Sequence, residues 1–475
     1  MPWDSKDLDR RFHPDVVAVV GSRRADDYIW LRNMTDFKGK LYSVQVDPGD
    51  IEGIDKMGIP NYKSLAEIPG PVDYVVMAVP RRVAPAILRD AIAKGVKAVH
   101  MFTSGFAEAG SADGAQAQQQ ITNMAREAGL LVIGPNCMGL YNPARGMRTG
   151  PGQGVDSVGS LAIISQSGAH NNALIQAAQA SGIGINKGVS FGNAIVLDSP
   201  DLLKYFGEDP NTSFICAYIE GPKDGRRFFE ELREACRRKP VILYKGGQTE
   251  AGQRAASSHT GSLAGSPEVW GAVARQTGAI RVDSFEEAVD MMKALAYLAP
   301  TTGDAVGIIG GSGGQSVSMG DDFSRAGLRV PRLSQPTLDA MSSFFQLVGA
   351  SFYNPVDVGQ MNRRNMESII DLLAMDPNIN ALGLMVGGGF GRRPREEVHA
   401  QFEMYQKAGI KAGKPVMAMI WSPIPYRDAD MLLEADNFLQ QLKIPVFASP
   451  ARAARALRKM VDYYALRRDM EALRD

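Results

Sequence analysis

Short runs of apolar, β-branched residues alternate along the chain with longer amphipathic stretches. This alternation is typical of βαβ units and predicts a mostly parallel sheet covered by helices. In the amino-terminal third, strands are predicted at residues 16–20, 41–46, 72–80, 96–106 and 130–136. Each leads into a turn of Gly, Pro, Ser or Asn. Ligands of open α/β sheets bind outside the carboxyl ends of the strands, so these turns are where a ligand is expected.

Two stretches without apolar periodicity divide the chain into three blocks of this kind. One is the Gly- and Pro-rich segment NPARGMRTGPGQGVDSVG, and the other is LAPTTGD near residue 300. With about 150 residues per domain as the prior, three domains are expected in a chain of this length. We predict that they span residues 1–148, 149–300 and 301–475.

Composition narrows the classes of function. The 475 residues carry 52 Lys and Arg against 52 Asp and Glu, and this balance gives no general basic field for nucleic acid or anionic membranes. The three cysteines, Cys137, Cys216 and Cys236, form no CxxC pair or Cys/His cluster, so neither a disulfide framework nor a metal site is predicted. The charged amino terminus and the lack of a long apolar run indicate a cytoplasmic protein without a membrane segment.

The first predicted strand ends in Val19-Val20-Gly21-Ser22, which begins like the turn of a dinucleotide fold. The second and third glycines of the G-x-G-x-x-G pattern are absent. Asp47 follows the second strand, where an NAD enzyme binds ribose. These residues leave three alternatives open: NAD, another adenine-containing ligand, and a Rossmann-like domain with no ligand.

Two further turns have the form of anion sites. Ser165, Gln166, Ser167 and Gly168 end a strand and open a helix, so free backbone N–H groups and the helix dipole favour an anion there. The glycine-rich turn at residues 310–314 repeats the arrangement in the third block. A purely structural role as a tight βα turn would explain either sequence without a bound anion. For the second turn, this structural role is preferred over anion binding.

The segment SSHTGSLAGS places His259 among small residues inside a long polar stretch. A packed histidine normally has bulky neighbours. Neutral imidazole is nucleophilic near pH 7 and accepts phosphoryl groups, and a carboxylate on its other nitrogen fixes the tautomer. Glu220, at the end of the strand SFICAYIE, lies on the same predicted sheet edge and is the candidate for that carboxylate. A solvated loop with an idle histidine is the alternative.

The order of several motifs resembles that of the NDP-forming acyl-CoA synthetases, a family that includes ADP-forming acetyl-CoA synthetases and, more distantly, succinyl-CoA synthetase. The motifs are VVGS, VDYVVMAVP, TSGFAEAG, GPNCMGLYNP, ISQSGA, YIEGPKDGRRF, AASSHTGSLAGS, GGSGGQ and NPVDVG. The resemblance spans nearly the whole chain. It implies an α-type subunit of the α/β class, in which a Rossmann-like CoA-binding domain precedes two flavodoxin-like doubly wound domains.

The resemblance also implies a reaction, acyl-CoA + phosphate + NDP ⇌ carboxylic acid + CoA + NTP, through an acyl phosphate and a phosphohistidine. By motif match, His259 resembles the phosphohistidine, Glu220 the glutamate that orients it, and the turn from Ser165 to Gly168 the phosphate cradle. Residues that resemble the family's CoA pocket are Gly21, Ser22, Arg23, Pro80, Thr103, Ser104, Gly105 and Asn136.

The chain departs from the family pattern at two places. Asp47-Pro48-Gly49 stands where the family commonly has Asn-Pro-Lys, so a lysine for the CoA phosphates is missing and an acidic charge is added. His170, Asn171 and Asn172 stand where the family has small residues. We expect His170 and Asn171 to shape the acyl pocket and to select a larger or more polar acid than acetate.

No ATP-grasp module follows the third block, so the Mg-nucleotide is expected to bind a separate ATP-grasp β-type subunit in a hetero-oligomer. The alternative is a catalytically silent relative that binds CoA or acyl-CoA and regulates or scaffolds a partner. The presence of both Glu220 and His259 favours the enzyme. The acyl group and the choice of ADP or GDP stay open.

Overall fold

The computed structural model describes residues 3–252, 254, 266–310, 312–347, 349–359, 362–387, 394–422 and 429–472. The chain falls into two compact units that divide between Ala288 and Val289. The first unit contains two sheets and the second unit contains one. The division into three domains at residues 148 and 300 stays a prediction.

The first sheet is fully parallel and has the strand order β3-β2-β1-β4-β5-β6. This is the order of a Rossmann-type sheet, whose ligand crevice lies at the carboxyl ends of the strands. The strands are β1 Val16–Val20, β2 Lys40–Val44, β3 Asn61–Tyr62, β4 Tyr74–Met77, β5 Ala98–Met101 and β6 Leu131–Ile133. The helices are α1 Ser5–Phe12, α2 Ile29–Arg32, α3 Pro48–Lys56, α4 Ala84–Lys94 and α5 Ala112–Glu127.

The second sheet has the order β12-β11-β10-β8-β9-β7, in which only β7 is antiparallel to its neighbour. Its five parallel strands follow the flavodoxin-like order, with the reversal between β8 and β10. The strands are β7 Gly139–Tyr141, β8 Val158–Ser165, β9 Ile185–Ser190, β10 Phe214–Ile219, β11 Val241–Lys245 and β12 Ile280–Val282. The helices are α6 Gly168–Ala180, α7 Ser199–Glu208, α8 Gly225–Arg238, α9 Pro267–Thr277 and α10 Phe285–Tyr297.

One hydrophobic core joins these two sheets. It contains Val19 of β1 and Tyr74 of β4 from the first sheet, together with Ile164 of β8 and Leu243 of β11 from the second. All four side chains are almost completely buried. Because the core is continuous and interiors are close-packed, turns that follow strands of the first sheet hold fixed positions relative to turns of the second.

The second unit is built on a four-stranded parallel sheet with the order β13-β14-β15-β16. Isolated parallel bridges pair Ala305 with Arg329 and Ile309 with Val356. The strands are β13 Val306–Ile309, β14 Ala381–Gly387, β15 Val416–Trp421 and β16 Val446–Phe447. The helices are α11 Gly313–Arg325, α12 Gln335–Ser342, α13 Met366–Met375, α14 Arg395–Ala412, α15 Ala429–Gln441 and α16 Pro450–Ala472.

These sheets confirm the predicted α/β class, with a Rossmann-like sheet followed by a flavodoxin-like sheet in the first unit and a parallel sheet in the second. Among the helices of the described ranges, none is long and apolar enough to span a membrane. Within the same ranges, no group of three His, Cys, Asp or Glu side chains is placed to hold a metal ion.

His100 makes the stability of the first unit sensitive to acid. Its ring is buried, its Nε2 lies 3.0 Å from the Cys137 carbonyl oxygen, and burial lowers its pKa to about 4. Because the unfolded state takes up this proton near pH 6.5, the stabilisation is complete above that pH and is lost as pH falls toward 4. We expect His100→Gln to reduce the loss of stability between pH 7 and pH 5 by about 2 kcal/mol, measured by denaturant unfolding.

The control is the exposed Gln120 on α5, which has no titratable group, so Gln120→Ala should leave the pH dependence of unfolding as it is. An acid sensitivity that is the same in His100→Gln and in the native protein would contradict a neutral, buried imidazole at this position.

Candidate functional site

A pocket of about 550 Å³ lies in the first unit, where turns from both of its sheets meet. Strands β5 and β6 of the first sheet and β8, β10 and β11 of the second contribute their carboxyl ends to it. The lining residues are Phe102, Asn136, Cys137, Met138, Gln166, Ser167, Gly168, Ala169, His170, Tyr218, Glu220, Gly247 and Gly252. The pocket therefore occupies the edge where the sequence predicts a ligand, at the point where the order of the second sheet reverses.

The turn between β8 and α6 is held by hydrogen bonds and presents a helix N-terminus to this pocket. Ser167 is the N-cap of α6, and its Oγ accepts a hydrogen bond from the His170 N–H at 3.3 Å. Ser165 is fully buried, and its hydroxyl donates to the Ser167 carbonyl at 2.6 Å. Ser165 thus stabilises the turn, whereas Ser167 and Gly168 line the pocket. Free N–H groups and the dipole of a thirteen-residue helix favour a phosphate at this end.

Gln166 connects this turn to the end of β10. Its Oε1 accepts from the N–H groups of Glu220 at 2.8 Å and Gly221 at 3.0 Å, and its Nε2 donates to the Gly221 carbonyl at 3.2 Å. The Gln166 side chain is thereby engaged with backbone. Its role is to fix the backbone of Glu220 relative to the amino end of α6.

Glu220 is the buried acid of the site. The residue is only 7% exposed, and Oε2 has no hydrogen-bond partner among the residues that the structure describes. A buried carboxylate oxygen without a partner is strongly unfavourable, so an acceptor in this position calls for a donor from a ligand or another part of the chain. Its place in the pocket lining fits the carboxylate that the sequence assigns to orienting a histidine.

Aromatic rings form the wall beside Glu220. The His170 ring stacks on Tyr218 with centroids 4.1 Å apart and planes 6° apart, and Tyr244 and Phe285 contact it edge-on. Burial lowers the pKa of His170, so the imidazole is neutral at pH 7. Burial, followed by the charge of Glu220, raises the pKa of Tyr218 well above its ordinary value.

Of the three polar residues that follow the turn, only His170 lines the pocket. Asn171 is fully buried beside β9, where a Cβ at Gly188 would lie 3.5 Å from its Oδ1. Asn172 Oδ1 accepts from the Thr149 hydroxyl at 2.9 Å and from Gln153 Nε2 at 3.1 Å. Successive helical residues point about 100° apart, so three neighbours cannot share one face. The structure brings His170, and not Asn171, to the predicted acyl pocket.

The eight candidate CoA residues follow β1, β4, β5 and β6 at one edge of the first sheet. Gly21 has φ +88°, and a Cβ there would lie 2.7 Å from the Ala78 carbonyl oxygen, so the turn requires glycine. Thr103 is buried and donates to the Val79 carbonyl at 2.8 Å, and the Asn136 N–H donates to the Thr103 carbonyl at 3.0 Å. Ser22 is buried, Gly105 and Asn136 are partly buried, and Arg23, Pro80 and Ser104 are exposed.

Asp47 has a structural role that the sequence comparison did not indicate. It is the N-cap of α3, and its Oδ1 accepts from the Gly49 N–H at 2.8 Å. Pro48 occupies the first helical position, which favours the same start. The replacement of Asn-Pro-Lys by Asp-Pro-Gly therefore keeps a capped helix after β2 while the lysine is lost.

His259 and the rest of residues 255–265 lie outside the described residues. The chain on the amino-terminal side of this segment touches the pocket, because Gly247 and Gly252 line it. His259 follows Gly252 by seven residues, and seven extended residues reach about 25 Å. Chain connectivity therefore permits His259 to enter the pocket.

Several lining residues were missed at the level of sequence. Tyr218 belongs to a run of buried strand residues and resembles a core residue, and Phe102 resembles the end of a buried strand. Gly247 is the second residue after β11, and the rule that ligands bind beyond strand ends is the signal that would have found it. At Gly246, a Cβ would lie 2.4 Å from the Tyr218 hydroxyl, which explains the glycine directly after this strand.

Comparisons with known proteins agree with this geometry. Residues 15–143 match the model of a CoA binding domain, and residues 158–295 match that of a succinyl-CoA ligase like flavodoxin domain. The α subunit of acetate–CoA ligase [ADP-forming] I from Pyrococcus furiosus is 36% identical over 460 residues, which cover 95% of this chain and 96% of that protein.

Two further relatives show how far the similarity extends. Acetate–CoA ligase [ADP-forming] I from Archaeoglobus fulgidus is 31% identical over 454 residues, covering 95% of this chain but 63% of that longer protein. The structure of the dinucleotide-forming acetyl-coenzyme A synthetase 1 from Ca. Korarchaeum cryptofilum, in complex with phosphate and ADP, aligns with a TM-score of 0.82 at 30% identity. The alignment covers 98% of this chain and 99% of the chain in that structure.

Proposed function

The chain belongs to the α-subunit family of ADP-forming acetate–CoA ligases, which are acid–thiol ligases, and from this premise we propose the path that the phosphoryl group takes through it. In this proposal CoA binds across the carboxyl edge of the first sheet. Acyl-CoA and phosphate meet at the N-terminus of α6, and His259 then carries the phosphoryl group to a nucleotide on another subunit.

The observation that carries this proposal is the position of Glu220. Its carboxylate is buried in the wall of the same pocket that receives the amino end of α6, and Oε2 has no partner among the described side chains. A carboxylate that accepts N–H from one imidazole nitrogen leaves the lone pair of the other nitrogen available for phosphorus. The buried, unpartnered carboxylate of Glu220 supports its proposed role as the group that orients His259.

The chemistry proceeds in two transfers that use these groups. Phosphate held at Ser167 and Gly168 attacks the thioester carbon, the C–S bond breaks, and acyl phosphate and CoA form. His259 then attacks phosphorus, the P–O bond to the acyl group breaks, and the carboxylic acid leaves. The α6 dipole stabilises the negative charge on phosphate in both transfers, and Glu220 stabilises the positive charge that develops on the imidazole.

The nucleotide site is proposed to lie on a separate ATP-grasp chain that binds Mg-nucleotide. The relative from Archaeoglobus fulgidus is matched over only 63% of its length, so that protein contains a large region with no counterpart in this chain. The relative from Pyrococcus furiosus is named as a subunit and is matched nearly end to end. Together they support a division of the activity between two chains.

Reconstitution with an ATP-grasp β-type subunit tests the proposal. The chain alone should form no acyl-CoA from a carboxylic acid, CoA and Mg-ATP, whereas the mixture should form acyl-CoA with release of ADP and phosphate. A mixture that binds CoA but forms no acyl-CoA from any of a panel of short, hydroxy and dicarboxylic acids would instead support a silent, CoA-binding scaffold.

CoA should stabilise the folded chain by itself. A ligand present at 100 times its Kd stabilises the state that binds it by about 2.7 kcal/mol, so CoA is expected to raise Tm in a thermal-shift assay. The exposed Arg23 lies at the predicted CoA edge, and Arg23→Gln should weaken the shift. The exposed Arg89 on α4 provides the matched control, since Arg89→Gln should keep the full shift.

NAD serves as the competing ligand in the same assay. An increase in Tm that is larger with NAD than with CoA would assign the Gly21 turn to a dinucleotide and would contradict a CoA site at this edge.

A further inference from the structure

The pocket contains an imidazole, that of His170, which has no part in the phosphoryl path. His170 is the single imidazole among the described lining residues, and it is the third residue of α6. Its ring lies flat on Tyr218 at 4.1 Å, which fixes the ring plane. Its Nδ1 is 3.3 Å from the Ser167 Oγ, the same oxygen that caps the phosphate-binding helix.

The proposed reaction has a step for which no proton acceptor has been assigned. When acyl-CoA is made, the sulfur of CoA attacks the acyl phosphate, and a thiol attacks as its thiolate. An alkyl thiol with a pKa of about 8.5 is only a few per cent ionised at pH 7. A neutral base within reach of the sulfur therefore accelerates this step.

The two reactants of this step converge beside His170. CoA enters from the first sheet, whose turn at Asn136 lines the pocket, and the acyl phosphate is held at Ser167 and Gly168. His170 is separated from Gly168 by a single residue, Ala169. Any sulfur that reaches the carbon of an acyl phosphate held there also reaches the neighbourhood of this imidazole.

We propose that His170 is the proton acceptor for the CoA thiol in acyl-CoA formation, an inference that rests on the proposed function. With Nδ1–H donating to Ser167 Oγ, the lone pair lies on Nε2, which makes no hydrogen bond to any described residue. Nε2 takes the S–H proton while sulfur bonds to the acyl carbon and the C–O bond to phosphate breaks. The imidazolium then gives its proton to the departing phosphate. In the reverse direction it protonates the sulfur as the C–S bond breaks.

The surroundings keep His170 in the basic form. Burial lowers its pKa, so the neutral ring dominates at and above pH 7. The titratable groups that face it are Tyr218 from β10 and Tyr244 from β11, and the pKa of each is raised, so both stay uncharged. Two carboxylates are also nearby. Glu220 lines the same pocket, and the negative charge of Glu286, the residue after Phe285, contributes to the raised pKa of Tyr244. Among the described lining residues there is no lysine or arginine.

The test is the half-reaction of acyl phosphate with CoA, run by the complete complex without nucleotide. Acetyl, propionyl and succinyl phosphate serve as probes, and the fastest is used to compare His170→Gln and His170→Leu with the native complex. We expect kcat at pH 7 to fall about a hundredfold in both variants while the KM for CoA changes little. The native rate should be flat above pH 7, whereas the rate of the variants should rise about tenfold per pH unit toward the pKa of the thiol.

Two additional measurements separate a proton acceptor from a structural residue. Free imidazole should restore part of the rate of His170→Leu. Gln176→Leu, an exposed position on the same helix, should behave as the native complex. Native-like kinetics in the His170 variants, or a loss of rate that is equal at all pH values and is not restored by imidazole, would overturn the proposal.

The fate of His259 distinguishes this proposal from the proposed function. Phosphorylation of His259 from Mg-ATP through the partner chain should persist in the His170 variants, because no thiol takes part in that transfer. If the native complex transfers no acyl group from any of the three probes, the proposed function fails and the role of His170 fails with it. If transfer occurs and only the pH profile is unchanged, the role of His170 alone is wrong.

Discussion

His259→Ala is expected to abolish acyl-CoA synthesis by the reconstituted complex, with a loss in kcat on the order of 10⁴-fold or more. In the proposed path the imidazole is the covalent carrier between two sites, and removing a nucleophile eliminates its whole pathway. The assay is ATP-dependent formation of the thioester from a carboxylic acid and CoA.

The His259→Ala result is interpretable because the substitution should affect the phosphoryl transfer but not the acyl transfer. The exchange between acyl phosphate and CoA uses α6 and the CoA edge, so it should survive in His259→Ala. His13→Ala, at a half-exposed position distant in sequence, is the matched control and should keep native turnover. Synthesis that continues in His259→Ala at a native rate would show that the phosphoryl group follows a different route.

Glu220→Gln is expected to slow phosphoryl transfer to and from His259 by roughly a hundredfold. This is the scale of the loss when a group that transfers a proton or orients a catalytic histidine is removed. The amide has the size of the carboxylate, and the Gln166 hydrogen bonds to the backbone of residues 220 and 221 persist, so the end of β10 should keep its position. An amide cannot compensate the positive charge on the imidazole. Rapid-quench measurement of phosphoenzyme formation gives the rate.

CoA binding supplies the internal reference for this variant. The increase in Tm with CoA should be the same in Glu220→Gln and in the native chain. Glu230→Gln, at an exposed position on α8, should leave the phosphorylation rate unchanged. A Glu220→Gln chain that is phosphorylated at the native rate would place Glu220 outside the path of His259.

The strand pattern was sufficient to predict the edge at which the site lies. Apolar runs ending in small or polar residues marked the carboxyl ends of β1, β4, β5, β6, β8 and β10, and the order of both sheets in the first unit follows the expected doubly wound form. Glu220 was found in this way, because a charged residue directly after a buried strand must lie at that edge.

The direction in which each side chain of α6 points could not be predicted from the sequence pattern. The sequence shows three consecutive polar residues after the phosphate turn, but which of them faces the pocket depends on how α6 is rotated against its sheet. Packing of Leu174 and Ile175 into the core sets that rotation and turns His170 toward the pocket. Asn171 is then buried beside β9.

The sequence-based prediction also differed from the structure at residues whose type is compatible with more than one role. The sequence shows Asp47 as an added acidic charge, and the structure shows that its side chain also caps α3. Tyr218 lies within a strand whose other residues are apolar, so its sequence context indicates only burial. Its contact with His170 depends on two chain segments that are 48 residues apart in sequence.

The central claim is that a phosphoryl group resides on His259 during turnover. The most direct measurement is rapid-quench labelling of the complex with γ-labelled Mg-ATP, followed by peptide mapping and a chase with carboxylic acid and CoA. The account predicts an acid-labile, base-stable label on the peptide containing His259, which disappears during the chase at a rate no slower than kcat. A label that maps to another residue, or one that stays on His259 through many turnovers, would contradict it.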